Sequence, residues 1–419
     1  MKNMEKKVIM LLPPTVFPIP AVGGGAVEQL ITHLLDVNET EQRASFVVVS
    51  KYDRSAAERK YVHSDVLYLD EDGFVTGYRK RFRFLWMLYC LWLKIFHNHI
   101  AERLSGRHHT RMDTYSFQCA LLAKLKGVDM VVNELHDFGK DAPMTVFNSI
   151  VGPERFFNHI HSVREENLAS RRIMNNSISI SEYVRDHWVV DRSIPGTHEV
   201  LYNCIDVDRF DKAIPPDERR QRRKALGIED TDFAVIFCGR LIPIKGVEEL
   251  LTAFEALEEK KKTNIKLLLI GSAAFSNGNN TDFAVRITER AKKSANVIPI
   301  GYVPNSELPL YYALADAQVV PSTCQEGAGL VAIEGMAAGL PLIITKSGGM
   351  PEYAAAEASV QLPIDAQLSV NLMETIEKLA DDPALCGKLG RAGKKHAKNF
   401  SREAYYTGFL DIAERACGK

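Results

Sequence analysis

The chain has 419 residues, of which 46% are apolar, and a formal net charge of -1. This length exceeds one typical hydrophobic core, so we expect two domains, and the balanced charge gives no general electrostatic reason to bind nucleic acid. The 7 cysteines contain no C-x-x-C pair, which predicts neither a disulfide framework nor a zinc site and fits a reducing cytoplasm.

The N-terminal part of the chain alternates short apolar runs with helical patterns. VIMLL follows several lysines, but it is too short for the apolar part of a secretory leader and meets prolines at once, so it predicts the first strand. VEQLITHLL has helical spacing, and SFVVVS predicts a second strand. VDMVVNE, DAPMTVFNSI and SISISEYV indicate further strands between helical stretches. This βαβ alternation predicts a parallel sheet.

Three consecutive glycines, Gly23 to Gly25, stand directly before the first helical stretch. Backbone N–H groups in such a turn could admit a phosphate or an acceptor group. The segment is not G-x-G-x-x-G, because Glu28 occupies the last position, and an ordinary flexible turn is the alternative.

Residues 79–96 form the one strongly biased segment. Arg79, Lys80, Arg81 and Arg83 precede ten uninterrupted apolar residues, which are too few to span a bilayer, since that needs about 20. A basic cluster beside aromatic residues is typical of an interfacial helix on anionic lipid. The segment therefore predicts either peripheral membrane contact or a core helix with a solvated basic start.

His159 and His161 occupy alternating positions in NHIHS, at the end of an apolar stretch. Alternate residues on a strand face the same side, so one of the pair could reach a ligand and bind a hydroxyl group. For each histidine the alternative is a structural role, in which its ring is hydrogen-bonded within the protein. Zinc is not expected, because no further ligand cluster stands nearby in the sequence.

A second series of strands and helices begins at Phe233, after the charged run PPDERRQRRK. Its apolar runs are FAVIFCG, IKLLLIGS, NVIPIGY, AQVVPS and PLIITK. The sequence thus predicts an α/β fold of two doubly wound, Rossmann-like domains, residues 1–208 and 209–400, facing across a cleft.

Two cations, Arg240 and Lys245, lie in the loop after FAVIFCG. Open α/β sheets bind ligands at the carboxyl ends of their strands. Cations there could neutralise a diphosphate and stabilise the negative charge that builds on it when a bond to it breaks. A pair of solvated loop cations is the alternative.

Glu326 and Glu334 have seven residues between them in EGAGLVAIE, behind the run AQVVPS. Gly327 and Gly329 let a ligand approach the backbone, and the N–H groups at the start of the following helix form an anion site. A site that binds phosphate at the helix start and hydroxyl groups at the carboxylates suits a sugar nucleotide. An ordinary strand, loop and helix with two solvated glutamates is the alternative.

The last two segments together resemble a known family. The E-x7-E pattern at Glu326 and Glu334, and the GR-x-x-x-x-KG pattern that contains Arg240 and Lys245, are similar to the signatures of the retaining family 4 glycosyltransferases with the GT-B fold, the glycosyl transferases group 1. The resemblance is strong over the second domain and weak over the first. It implies that residues 401–419 form a helix that packs back on the first domain.

The resemblance also implies roles for individual residues. Glu326 would contact the donor sugar, Glu334 the ribose, Tyr302 the base, and His161 the region of the sugar's C6. Arg240 and Lys245 would hold the diphosphate. The implied catalytic set is Arg240, Lys245, Glu326 and His161, and the implied donor-binding set is Gly24, Gly25, Tyr302, Gly327, Ala328, Gly329, Leu330 and Glu334. YNCIDVDRF resembles a family segment near the hinge, with Cys204 in place of a glycine.

The function implied by the resemblance is a retaining hexosyltransferase. It would move a sugar from a nucleotide donor, with UDP as the commonest carrier, to a glycan or lipid-linked acceptor in surface-polysaccharide synthesis. The leaving diphosphate would itself accept the acceptor's proton. Two cations and the helix N–H groups would cover its charge, so neither a metal nor another cofactor is expected. This function fits a cytoplasmic protein at the inner face of the membrane. The alternatives are a dinucleotide-dependent oxidoreductase and a non-catalytic nucleotide-sugar-binding protein.

Overall fold

The computed structural model describes residues 6–14, 17–22, 25–96, 109–134, 151–162, 176–188, 196–273 and 281–417. The chain divides into two compact units, Met1–Leu201 with Tyr405–Lys419, and Tyr202–Ala404. Residues 202–208, which the sequence assigned to the first domain, lie in the second unit, where Ile205 belongs to the buried core. Gly24 and the predicted strand at DAPMTVFNSI lie outside the described residues.

Each unit is built on one parallel sheet. The strands, in chain order, are β1 (Lys7–Leu12), β2 (Ala44–Lys51), β3 (Ser64–Leu69), β4 (Met130–Asn133), β5 (Phe156–Ile160), β6 (Asn176–Ser179), β7 (His198–Val200), β8 (Phe233–Cys238), β9 (Ile265–Ile270), β10 (Val297–Gly301), β11 (Ala317–Val320), β12 (Leu342–Thr345) and β13 (Ser359–Leu362). The first sheet has the order β3-β2-β1-β4-β5-β6-β7 and the second β10-β9-β8-β11-β12-β13.

Helices connect these strands. They are α1 (Ala26–Glu41), α2 (Arg54–Glu58), α3 (Arg79–Phe96), α4 (His109–Leu125), α5 (Glu182–Trp188), α6 (Val207–Phe210), α7 (Pro216–Ala225), α8 (Val247–Glu259), α9 (Asp282–Ala291), α10 (Leu308–Leu314), α11 (Leu330–Ala337), α12 (Met350–Tyr353), α13 (Leu368–Asp381), α14 (Pro383–Ala397) and α15 (Arg402–Cys417). Short 3-10 turns cover Pro153–Arg155, Pro243–Lys245 and Lys398–Phe400. Among the described residues, no helix combines the length and apolar content needed to cross a bilayer.

The central strands are buried on both faces. In β8, Val235 and Phe237 contribute to one apolar core, whereas Ala234 and Ile236 contribute to the core on the other side of the sheet. Alternate side chains of a strand point to opposite faces, so an unbroken apolar run is what a sheet covered by helices on both sides requires. This arrangement confirms the predicted α/β class.

The last helix, α15, packs on the first unit from Tyr405 onward. The Tyr406 hydroxyl donates to Asn38 Oδ1 at 2.7 Å, and the rings of Phe409 and Phe46 lie 6.1 Å apart. Phe409 is fully buried, so the C-terminal segment is part of the hydrophobic core of this unit.

The strand order reverses at the centre of each sheet. In the first, β1 pairs with β2 on one side and β4 on the other; in the second, β8 pairs with β9 and β11. The connections leave in opposite directions at such a point and open a crevice at the carboxyl ends of the strands, where ligands of doubly wound sheets bind.

Candidate functional site

A pocket with about 380 Å³ of open space lies at the carboxyl ends of β8 and β11, at the point where the second sheet reverses its strand order. Every residue of its lining belongs to the second unit. The lining comprises Phe237, Cys238, Gly239, Lys245, Val320, Ser322, Glu326, Ala328, Gly329, Leu330, Val331 and Met350.

Lys245 is placed by a close approach of two loops. Gly246 follows it with φ of 68°, and a Cβ there would lie 1.9 Å from the carbonyl oxygen of Pro321. Only glycine fits both the left-handed backbone and this contact. The N–H of Thr323 donates to the carbonyl of Ile244 at 3.0 Å and ties the β11 loop to the β8 loop. The lysine therefore stands on a fixed turn.

Glu326 is held by its side chain and by its backbone. The Nζ of Lys245 lies 2.5 Å from Glu326 Oε1, and the Ser322 hydroxyl donates to the same oxygen at 2.6 Å. The Glu326 carbonyl accepts from the N–H of Gly349 at 2.8 Å. Gly348, with φ of 51°, leaves room for that carbonyl, since a Cβ there would come within 2.2 Å of it. The side chains of Lys245 and Glu326 are 24% and 16% exposed, so the pair is shielded but open to a ligand.

The start of α11 borders the same pocket. Gly329 occupies the N-cap position without a side-chain cap, and the first helical bond runs from Ile333 N–H to Gly329 C=O at 3.1 Å. The N–H groups of the first turn and the positive end of the helix dipole attract anions. Together with Lys245 they form a site suited to a diphosphate.

Glu334 lies one turn further along α11. The Tyr312 hydroxyl donates to its Oε2 at 2.7 Å, and Gln318 Nε2 donates to the Tyr312 hydroxyl at 3.2 Å. Burial raises the pKa of Glu334 to about 7, although the hydrogen bond from Tyr312 works in the opposite direction. This carboxyl changes its charge near neutral pH.

The other predicted donor residues of the second unit are not part of the pocket lining. Arg240 is half-buried, two residues beyond β8, and Gly327 lies in the loop between Glu326 and α11. Tyr302 follows β10, two strands away from β8, and is 41% exposed. The structure therefore brings together Lys245, Glu326, Ala328, Gly329 and Leu330. It adds Ser322, which the sequence analysis overlooked although it lies two residues beyond the buried strand β11.

The first unit holds a second cluster of titratable groups. Nε2 of His161 lies 2.7 Å from Glu134 Oε2, and Nδ1 of His159 lies 3.0 Å from the same oxygen. Burial opposes ionisation of Glu134, yet the two histidines hold the pKa of this carboxyl well below its ordinary value. Sequence analysis missed Glu134, because it precedes the histidines by more than twenty positions and becomes their neighbour only through strand pairing.

Gly25 begins α1 with φ of 89°. A Cβ at this position would lie 2.0 Å from the carboxylate of Glu28, so the turn and Glu28 are packed together. Burial raises the pKa of Glu28, and the carboxylate of Glu134 adds to that rise. The glycine turn is thus close to the Glu134 cluster, within the first unit.

The family model described as glycosyl transferases group 1 matches residues 218–396. A D-inositol 3-phosphate glycosyltransferase of Segniliparus rotundus is 31% identical over 233 residues, which are 54% of this chain and 51% of that protein. The chain spans about half the length of several curated relatives of this name.

Two solved structures are similar over nearly the whole chain. A glycosyltransferase from Rickettsia africae superimposes with a TM-score of 0.72 at 15% identity, covering 99% of each chain. HepE of Anabaena, in complex with UDP and glucose, superimposes with a TM-score of 0.64 at 16% identity. The match covers 98% of this chain and 100% of the HepE chain. These likenesses confirm the GT-B fold. The model of the glycosyl transferases group 1 matches residues 218–396, which lie within the second unit, so this unit is similar to that family.

Proposed function

We propose that this chain transfers a hexose from a nucleoside-diphosphate sugar to a glycan or lipid-linked acceptor in surface-polysaccharide synthesis, with retention of the anomeric configuration. The observation that carries the proposal is the pocket of the second unit. It places the ammonium of Lys245 and the carboxylate of Glu326 beside the uncapped start of α11. The arrangement suits a donor with a charged diphosphate and an uncharged, hydroxylated sugar.

The diphosphate would bind between Lys245 and the first turn of α11. Its negative charge increases as the glycosidic bond to phosphate breaks, so a fixed cation and fixed N–H groups stabilise the transition state more than the ground state. Arg240, near the start of the loop that carries Lys245, would add positive charge on the diphosphate. These groups cover the diphosphate without a metal ion.

Glu326 would bind the sugar through the oxygen that its neighbours leave available. Lys245, Ser322 and the thiol of Cys324 all approach Oε1, so Oε2 can accept hydrogen bonds from sugar hydroxyls. Among the described lining residues Glu326 is the single carboxylate. This fits a reaction in which an oxygen of the leaving phosphate takes the proton from the acceptor hydroxyl on the same face of the sugar.

The experiment that tests this proposal is a thermal-shift screen of the purified chain with UDP, GDP and ADP sugars and with NAD(H). Binding at a hundredfold excess over the dissociation constant stabilises the folded chain by about 2.7 kcal/mol. We expect one nucleotide class to raise the melting temperature, with UDP sugars first, since HepE was crystallised with UDP. NMR of the product would then give its anomeric configuration.

Other outcomes select the alternatives. Stabilisation by NAD(H) alone would favour a dinucleotide-dependent oxidoreductase. Binding of a sugar nucleotide with neither hydrolysis nor transfer, across a panel of acceptors, would favour a non-catalytic nucleotide-sugar-binding protein.

A lipid-linked acceptor is supported by the surface of α3. Phe84, Met87, Leu88 and Leu91 are 43–58% exposed, and their spacing places them on one face of the helix. The opposite side is anchored, because Phe82 is fully buried. Exposed Arg81 and Arg83 stand beside the apolar face. This combination of apolar and cationic groups is that of an interfacial helix on anionic lipid.

We expect the chain to float with vesicles that contain an anionic phospholipid, and to do so less with neutral vesicles or at high salt. The double substitution Phe84→Glu and Leu88→Glu should remove most of this binding. The matched control is Val62→Glu, which changes a residue that is 82% exposed elsewhere in the first unit. Vesicle binding that survives the double substitution would show that α3 is not the membrane-binding surface.

A further inference from the structure

Three potential metal ligands converge in the first unit on one point. Nδ1 of His159 and Nε2 of His161 both approach Oε2 of Glu134, at 3.0 and 2.7 Å. All three groups offer a ligand atom within 4.8 Å of the others. Two imidazole nitrogens and a carboxylate oxygen are a donor set that proteins use for zinc.

Strand pairing builds this cluster. The parallel strands β4 and β5 are in register with Asn133 opposite Asn158, and the side-chain amide of Asn133 donates to Asn158 Oδ1 at 2.9 Å. Glu134 therefore follows β4 directly beside His159. His161 lies two residues beyond His159 on the same side of the chain. The ligand atoms are placed by two central strands of the sheet, which gives them little freedom to separate.

The cluster is buried and charged. The side chains of Glu134 and His159 are 2% and 0% exposed, and that of His161 is 8% exposed. A buried carboxylate requires a compensating positive charge. The two imidazoles surround it with hydrogen bonds, and a bound dication could supply that charge. His161 is the one of the three that keeps a small exposed fraction toward solvent.

We propose that Glu134, His159 and His161 bind one transition-metal dication, with Zn²⁺ as the best match and a water molecule as the fourth ligand. Ligands at about 2.0–2.1 Å from tetrahedral zinc lie roughly 3.3 Å from one another, so each histidine nitrogen needs to move away from Glu134 Oε2 by only a few tenths of an ångström. Two imidazoles disfavour Mg²⁺ and Ca²⁺, which take oxygen ligands.

Metal binding would have a functional consequence if the proposed transfer reaction is correct. The ion would occupy Nε2 of His161, the residue that the family resemblance assigns to the donor sugar. The bound metal would then inhibit the reaction and take no part in catalysis. Lys245 and the start of α11 would still neutralise the diphosphate.

The test is titration of the chelator-treated full chain with Co²⁺, followed by visible absorption, and with Zn²⁺ in competition, followed by calorimetry. We expect a stoichiometry of one ion per chain and d–d bands of the intensity that tetrahedral Co²⁺ gives. His161→Ala should weaken binding at least tenfold and remove the bands, and Glu134→Gln should do the same. Saturating Zn²⁺ should raise the melting temperature of the unsubstituted chain.

His187→Ala is the matched control, because His187 is an exposed histidine of the same unit outside the cluster. It should leave metal binding unchanged. His161, which keeps an exposed edge, is the substitution least harmful to folding, so a far-ultraviolet circular dichroism spectrum that matches the unsubstituted chain makes its result decisive even if Glu134→Gln unfolds. Absence of stoichiometric binding, or equal binding by the folded His161→Ala chain, would show that the three residues form a hydrogen-bonded ion cluster only.

Discussion

Replacement of Lys245 by alanine is expected to lower kcat/KM for the sugar-nucleotide donor by about 10²–10³-fold, the range seen when one group aimed at developing negative charge is removed. Lys245 is the cation in the pocket lining, and its turn is fixed by the contact of Gly246 with Pro321. Because charge grows on the leaving diphosphate, most of the loss should appear in kcat rather than in KM.

Initial-rate kinetics with the donor identified by the thermal-shift screen provide the measurement. Lys245→Arg keeps a positive charge and should recover part of the lost rate, although its planar head group cannot reproduce the contact with Glu326 Oε1. Lys292→Ala is the control, since Lys292 is 58% exposed and pairs with Glu289 away from the pocket.

Folding must be checked for the same variants. Removal of Lys245 leaves the carboxylate of Glu326 with the Ser322 hydroxyl as its remaining short contact, so a modest decrease in melting temperature is expected. A folded Lys245→Ala chain whose kcat/KM stays within threefold of the unsubstituted chain would contradict the assignment of the diphosphate to this pocket.

The sequence was sufficient to identify the central strands and the edge strand β10, but not the other three edge strands. Strands β8, β9, β11 and β12 are apolar runs that helices cover on both faces, and such runs are visible without any knowledge of pairing. The strands that the sequence analysis did not identify, β3, β7 and β13, are all edge strands. They are less completely buried, and polar residues interrupt them, as in HEV and SVQL.

The candidate site was predictable where its residues lie in the loops that follow such strands. Lys245 and Glu326 each stand in one of these loops, and their motifs resemble a known family. Tyr312 and Glu134 were not predictable, because each meets its partner through packing between elements. Tyr312 reaches Glu334 from α10, and Glu134 reaches the two histidines through the register of β4 and β5. A single sequence contains no signal for such contacts.

Replacement of Glu334 by glutamine is expected to stabilise the chain progressively as the pH rises from 5 to 8. Burial raises the pKa of this carboxyl from its ordinary value of 4.5 to about 7 in the folded chain. Between these values the folded state binds more protons than the unfolded state, so the stability of the unsubstituted chain falls as the pH increases. Above pH 7 the buried carboxylate is ionised, and the full penalty is present.

Glutamine cannot ionise and still accepts the hydrogen bond of Tyr312, so it removes this pH-dependent penalty. The shift corresponds to a difference in the free energy of unfolding of up to about 3 kcal/mol at pH 8 and to little difference near pH 5. Denaturant unfolding of both chains at several pH values measures it. Glu307→Gln, which changes an exposed glutamate of the same unit, should show no such trend. If the advantage of Glu334→Gln were the same at pH 5 and pH 8, Glu334 would not be the group that titrates. An ionisable acid retained at this half-buried position despite its cost is what ribose recognition by a carboxylate would require.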